Sequence, residues 1–108
     1  MNHMQTFDTR AQEIPIVGGK KTAVLHHADN IKIRIVELAA GGAIPTCEMS
    51  ASVIFHVLSG AVEITVNGER SSLVEGQGVF SGPATVSMVS ATGARLMGIQ
   101  IEPTGGRA

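Results

Sequence analysis

Two sulfur-bearing side chains stand two residues apart in this chain, at Cys47 and Met49. Alternate residues of a β-strand share one face, so on a strand the thiol and the thioether would point to the same side. Soft donors of this kind suit Cu(I), and an imidazole from His26 or His27 would complete a Cys-Met-His set. The simpler interpretation is a small buried cysteine beside a methionine that lines or fills a pocket.

Other polar residues near this pair have weaker chemical interpretations. Glu48 should point away from its two neighbours, unless a β-bulge near Pro45 turns it inward. His56 alternates with apolar residues, which predicts a position on the outer surface or at a dimer interface. Ser87 lacks a histidine at a recognisable spacing and a Gly-x-Ser-x-Gly elbow, so no nucleophilic role is predicted for it.

Short β-strands must position these residues, because turn signals recur at short intervals along the whole chain and no segment has helical periodicity. The strongest turn signal is Asn67-Gly68, which predicts a hairpin between strands at residues 61–66 and 69–74. A separate strand is expected at residues 52–58, ended by Ser59-Gly60. This pattern predicts an all-β, antiparallel sandwich or barrel.

The strand at residues 31–38 has the clearest alternation in the chain. Three isoleucines at positions 31, 33 and 35 form one face, and Lys32 and Arg34 form the other. Such a pattern indicates a half-buried strand, with the apolar face covered and the charged face towards solvent.

Composition narrows the function classes. The net charge is −1 and the chain has three Phe but no Tyr or Trp, so neither nucleic acid nor an anionic membrane is expected as a partner. Cys47 is the single cysteine, so no internal disulfide forms, and no apolar stretch is long enough to span a membrane. A cytoplasmic location is expected.

The length of 108 residues suits one domain. We expect a flexible N-terminal extension at residues 1–12, a single barrel domain at 13–102 and a disordered tail at 103–108. The apolar segment at residues 14–17 contains Pro15 and is therefore at best an edge strand. Charged residues make up only 16% of the chain, which favours a homodimer formed through this N-terminal segment.

The spacing of glycines and turns in the second half of the chain resembles the two sequence motifs of the cupin superfamily. The first motif, Gly, then His-x-His, Glu and Gly, corresponds by spacing to Gly41, Cys47, Met49, Val53 and Gly60. The second motif, Gly, then Pro-x-Gly, His and Asn, corresponds to Gly76, Gly82, Ala84, Ser87 and Ala91. The resemblance covers residues 31–101 and implies a jelly-roll barrel, also called a double-stranded β-helix, of the small single-domain type.

The resemblance also implies where a site would lie. Cupins that bind a metal use two His and a Glu of the first motif and a His of the second. In this chain those positions carry Cys47, Met49, Val53 and Ser87, which do not make the usual set of ligands for Fe, Mn, Ni or Zn. We therefore expect no cofactor, and a pocket lined by these four residues and Phe55. A metal ion, if one binds, would use Cys47, Met49 and His26.

Three functions remain open from the sequence. The first is a metal-free module that binds a small, largely apolar molecule or serves as an accessory or sensing domain. The second is a metal-dependent enzyme of the cupin type, such as a dioxygenase or isomerase, with atypical Cys/Met/His ligands. The third is a structural homodimeric module whose barrel is simply filled.

Overall fold

The computed structural model describes residue 4 and residues 6–10, 16–17, 20–28 and 30–102. The strands are β1 (Ile16–Val17), β2 (Lys20–Ala28), β3 (Ile31–Leu38), β4 (Ala43–Met49), β5 (Ser52–Val66), β6 (Glu69–Val74), β7 (Gly78–Ser81), β8 (Ala84–Val89) and β9 (Ala94–Ile101). All pair in antiparallel fashion, so the predicted all-β antiparallel fold is confirmed. In these residues no helix is long and apolar enough to cross a membrane.

Strand β5 belongs to two sheets and lies at the centre of the fold. Its first part, residues 52–60, pairs with β9 on one side and β7 on the other. Its last part, residues 61–66, pairs with β6 and β8. The first sheet therefore runs β1-β2-β3-β9-β5-β7, and the second runs β4-β8-β5-β6. Their inner faces pack together in the manner of a jelly roll.

The change from one sheet to the other occurs at Gly60, where the sequence predicted a break between two separate strands. Gly60 has φ +81°, a conformation that glycine adopts without the penalty of a Cβ. A Cβ here would lie against the carbonyl oxygen of Gly93 and 2.8 Å from the Cα of Ala94. The chain therefore bends through this position as one continuous strand instead of ending there.

The core lies between the two sheets and follows the alternation of each strand. Residues from both sheets form one buried apolar cluster: Val36, Leu38, Val53, Phe55, Val57, Val62, Ile64, Leu73, Val86, Met88, Ala94 and Leu96. On β5 the inward positions are 53, 55 and 57, and His56 between them points to the other face, as the sequence pattern predicts. Burial of these aliphatic side chains is the main force that holds the sheets together.

Strand β3 differs from the expectation for its charged face. Val36 and Leu38 are core residues, and Arg34 shares their side of the strand. The side expected to face solvent therefore faces the barrel interior. The isoleucine side lies on the outer surface of the sheet, where Ile31 is 39% exposed, although Ile35 is fully buried. Both faces of this strand carry apolar residues, so alternation alone did not show which one faces the core.

The Asn67-Gly68 turn joins β5 to β6 as predicted. Asn67 and Gly68 have φ of 50° and 84°, the two positive values that a tight hairpin turn requires. Val66 pairs directly with Glu69. The side chain of Asn67 also accepts a hydrogen bond from the backbone N–H of Thr85 at 2.9 Å, which links the hairpin to β8.

The N-terminal region supplies one edge of the first sheet. Strand β1 pairs with β2, at the edge position expected for this segment. The carbonyl of Thr9 accepts a hydrogen bond from Nε of Arg95 at 2.8 Å, so part of the predicted flexible extension lies against β9. The predicted tail at residues 103–108 lies outside the described residues, as do Pro15 and much of residues 1–15.

Candidate functional site

A cavity of about 340 Å³ lies between the two sheets, on the side where β3 and β4 face each other. No described ladder pairs β4 with β3, so the barrel is open along this side. Apolar side chains from both sheets form the walls: Val36, Ile44, Phe55, Val86 and Met88. The volume is at the lower end of the roughly 300–1,000 Å³ typical of small-molecule sites.

The β4 wall carries the sulfur pair noted in the sequence. Sγ of Cys47 lies 4.0 Å from Sδ of Met49, and both residues line the cavity. The register of β4 against β8 shifts between Ile44 and Cys47, which places a bulge beside Pro45. Glu48 also lines the cavity, as expected if a bulge disturbs the alternation there. A shallower surface groove of about 410 Å³ adjoins this wall and shares Glu48 and Met49 with the cavity.

The opposite wall carries two polar groups that lack partners. Nε of Arg34 and Oε1 of Gln100 are buried and make no hydrogen bond in the described part of the chain. Both residues line the cavity. Buried polar atoms are nearly always paired in folded proteins, and an unpaired one costs about 1–3 kcal/mol. Two of the side chains that line the cavity therefore each carry a buried polar atom that no described residue pairs with.

Gly98 makes room for these groups. In register across the first sheet, Gly98 lies between Arg34 on β3 and Phe55 on β5. A Cβ at this position would lie 3.1 Å from Cε1 of Phe55 and 3.7 Å from Cγ of Arg34. Because glycine has no side chain, the guanidinium stem and the aromatic ring border the same space.

The predicted pocket residues fall into two groups. Cys47, Met49 and Phe55 line the cavity. Val53 is packed in the core and does not reach the cavity wall. Ser87 alternates with the inward residues of β8 and points to the other face of that strand, so it does not line the cavity either.

The histidines do not join the sulfur pair. His26 pairs with Ile33, on the outer face of the first sheet. His27 pairs with Lys32, and neither histidine lines the cavity. Among the described residues, no three His, Cys, Asp or Glu side chains lie close enough together to hold a metal ion.

The donor chemistry at the four motif positions does not fit the metal centre that the cupin fold commonly carries. Val53 offers no donor atom, and Ser87 faces away from the cavity. The remaining thiol and thioether are soft donors, whereas Fe, Mn, Ni and Zn sites of this type are built from imidazole and carboxylate. We therefore assign no chemical step to a metal at this position.

Sequence reasoning missed Arg34, Gln100 and Gly98. For Arg34 the sequence did carry a signal. Val36 and Leu38 are apolar and share its strand face, so burial of that face also places Arg34 on the inner side. Gln100 and Gly98 carry no signal of their own, because their place at the cavity depends on how β9 pairs with β3 and β5.

The molecule is an open barrel of two antiparallel sheets that encloses a small, mostly apolar cavity. No protein-family model and no curated protein matches the sequence. Solved structures do match the fold. They include the Cnp3 cupin domain of Schizosaccharomyces pombe, with 17% identity and a TM-score of 0.82 over 91% of this chain and 74% of that one.

Two further structures extend this similarity. An RmlC-like cupin from Shewanella frigidimarina is 19% identical, with a TM-score of 0.81 over 96% of this chain and 95% of that one. Salicylate 1,2-dioxygenase from Pseudoaminobacter salicylatoxidans is 19% identical, with a TM-score of 0.74 over 85% of this chain but only 27% of that one. The chain therefore has the cupin fold, as its glycine spacing suggested. At these identities the similarity defines the fold and not the activity.

Proposed function

We propose that this protein binds a small, largely apolar organic molecule in the cavity between its sheets, and does so without a metal ion. The observation that carries the proposal is the 340 Å³ cavity between the two sheets, which is walled mostly by aliphatic and aromatic side chains and borders the buried core. A barrel with a purely structural role would be expected to fill this space, because an unfilled apolar cavity lowers stability.

A substitution at Gly98 tests whether the cavity is the binding site. Gly98→Leu places a side chain between Arg34 and Phe55, so it should reduce the binding of an apolar probe by about tenfold or more. The matched control is Gly82→Leu, because a Cβ at Gly82 meets nothing within 4 Å. The measurement is saturable binding of a fluorescent naphthalene probe to each variant. Absence of saturable binding to the unmodified protein would overturn the proposal.

The enzyme hypothesis is the alternative that the fold keeps open, since one structural neighbour is a dioxygenase. For this chain it would require a metal bound through Cys47 and Met49 with a further ligand. Elemental analysis after incubation with Fe(II), Mn(II), Zn(II) and Cu(I) separates the two functions. We expect substoichiometric metal, whereas one metal per chain that is lost in Cys47→Ser would favour the enzyme.

We also propose that the chain forms a homodimer through its N-terminal edge. Strand β1 lies at the end of the first sheet, and the outer face of that sheet carries Ile31, Ile33 and Ile99. Among the described strands β1 has no partner on its far side, and an open edge beside an apolar face is a surface that a second copy would cover. Light scattering should give twice the mass of the 11.2 kDa chain, and a monomer at all concentrations would contradict this.

A further inference from the structure

The two unpaired polar groups of the cavity define the chemistry of its ligand more narrowly than the apolar walls do. We propose that the ligand is a small apolar carboxylate, whose head group pairs with Arg34 and Gln100 while its hydrocarbon body packs against Val36, Phe55 and Met88. This inference rests on the binding function proposed above.

Position follows from the pairing of β9. Gly98 and Gln100 are successive inward residues of β9, and Gly98 pairs with Arg34. The two polar side chains therefore border the same part of the cavity, and both are among its lining residues. The ring of Phe55 and the stem of Arg34 fill the space directly over Gly98, so the open space that both polar side chains border is the cavity itself. A head group there would lie within reach of both.

Charge distinguishes a carboxylate from a neutral polar group. Arginine stays protonated in proteins, and Arg34 is the one cationic residue among those that line the cavity. Glu48 lines the same cavity but is exposed, and no ion pair joins it to Arg34 in the described part of the chain. A neutral ligand would satisfy the hydrogen bond of Nε yet leave the charge uncompensated beside apolar walls. An anionic ligand would accept the hydrogen bond from Nε and also pair with the positive charge.

Shape favours a carboxylate over a phosphate. The planar guanidinium matches a carboxylate in a two-bond arrangement, and the amide of Gln100 can rotate to present its NH₂ as a further donor. A phosphate carries more charge and more acceptor oxygens than one arginine and one amide can satisfy. The remaining walls are aliphatic or aromatic, which suits a hydrocarbon body.

A matched pair of ligands tests the inference: 2-naphthoate and its neutral isostere, 2-naphthamide. Calorimetric titration of the full chain should show that the carboxylate binds about tenfold or more tightly than the amide, as expected for one charge-assisted hydrogen bond. In Arg34→Met this preference should disappear while the amide still binds. The control is Arg70→Met, which removes an exposed positive charge on β6, outside the cavity lining, and should keep the preference.

A second variant keeps the test decisive if Arg34→Met folds poorly. Gln100→Glu places a carboxylate beside the head-group position, so it should weaken 2-naphthoate by about tenfold or more and leave 2-naphthamide almost unchanged. Equal binding of the two ligands to the unmodified protein would overturn the carboxylate inference but leave the binding function standing. A preference that survives in both variants would overturn it as well. If neither ligand binds, the binding function and this inference both fail.

Discussion

Two polar side chains inside this barrel, those of Ser90 and Arg34, differ in whether their buried atoms are hydrogen-bonded. Ser90 is fully buried near the turns that close one end, and its Oγ donates to the carbonyl of Ala61 at 2.6 Å and accepts from the N–H of Gly93 at 2.9 Å. Its backbone N–H and carbonyl bond to the turn at Gly41 and Gly42. Arg34 lines the open side instead, and its buried Nε has no partner among the residues that the structure describes.

The difference separates the part of the barrel that holds the fold from the part that meets a ligand. A buried serine with every bond made joins two turns and the bend of β5, and it stabilises their arrangement. A buried arginine atom with no partner lowers stability unless something external pairs with it. The closed end should therefore be sensitive to loss of a group, whereas the open side should tolerate loss of Arg34. Three substitutions test this contrast.

The largest effect is expected at Gly60, beside the closed end. Gly60→Ala should lower the free energy of unfolding by about 3 kcal/mol or more, because its positive φ and the contact with the Gly93 backbone both oppose a Cβ. The control is Gly68→Ala, which has a similar φ of 84° but open space around the Cβ, and should cost about 1 kcal/mol. Equal losses in urea unfolding would show that the close contact has no energetic weight.

A smaller loss is expected at Ser90. Ser90→Ala leaves the Ala61 carbonyl and the Gly93 N–H without their partner, so unfolding should become easier by about 1–3 kcal/mol. Ser87→Ala is the matched control, because Ser87 makes no side-chain hydrogen bond in the described part of the chain and should change stability by less than about 0.5 kcal/mol. Thermal unfolding of both variants measures the difference. If Ser90→Ala leaves the stability unchanged, these hydrogen bonds do not stabilise the closed end, and the contrast between the two regions fails.

The smallest effect on stability is expected at Arg34. Without ligand, Arg34→Met should be neutral or stabilise the fold by up to about 1 kcal/mol, because it removes an unpaired polar group and keeps an apolar stem. Arg95→Met provides the comparison, since Arg95 bonds to Thr9 and lies 3.8 Å from Glu37, and its loss should destabilise by about 1 kcal/mol. The denaturant midpoints of both variants measure the two changes in stability. Destabilisation by Arg34→Met beyond that of Arg95→Met would mean that Arg34 holds the fold.

The prediction from sequence was most accurate for features set by neighbouring residues. The Asn67-Gly68 hairpin depends on two consecutive residues with positive φ, and both are where the pattern placed them. The bend at Gly60 was read as the end of a strand, since a glycine marks a break and a bend equally well until the partner strands are known. Motif spacing led us to expect Cys47 and Met49 at a pocket, and strand alternation led us to expect Phe55 there; all three line the cavity.

The orientation of β3 depends on distant parts of the chain. Alternation divides the residues of a strand into two faces but does not say which face is inside. The side chains of Val36 and Leu38 pack between the sheets, and Arg34 lies on the same face of the strand. Ser87 shows the same ambiguity on β8, where Val86 and Met88 occupy the inward positions and leave the serine outside.

The sequence by itself determined most of the β-strands, the Asn67-Gly68 turn and the presence of a valine, which has no donor atom, at motif position 53, because these depend on residue type and short spacing. Only the tertiary structure decided that Arg34, Gly98 and Gln100 meet at one cavity. These residues come from β3 and β9, which are far apart in the chain and are joined by long-range pairing. That pairing sets the register, and the register sets which polar atoms are left without partners beside the open side of the barrel.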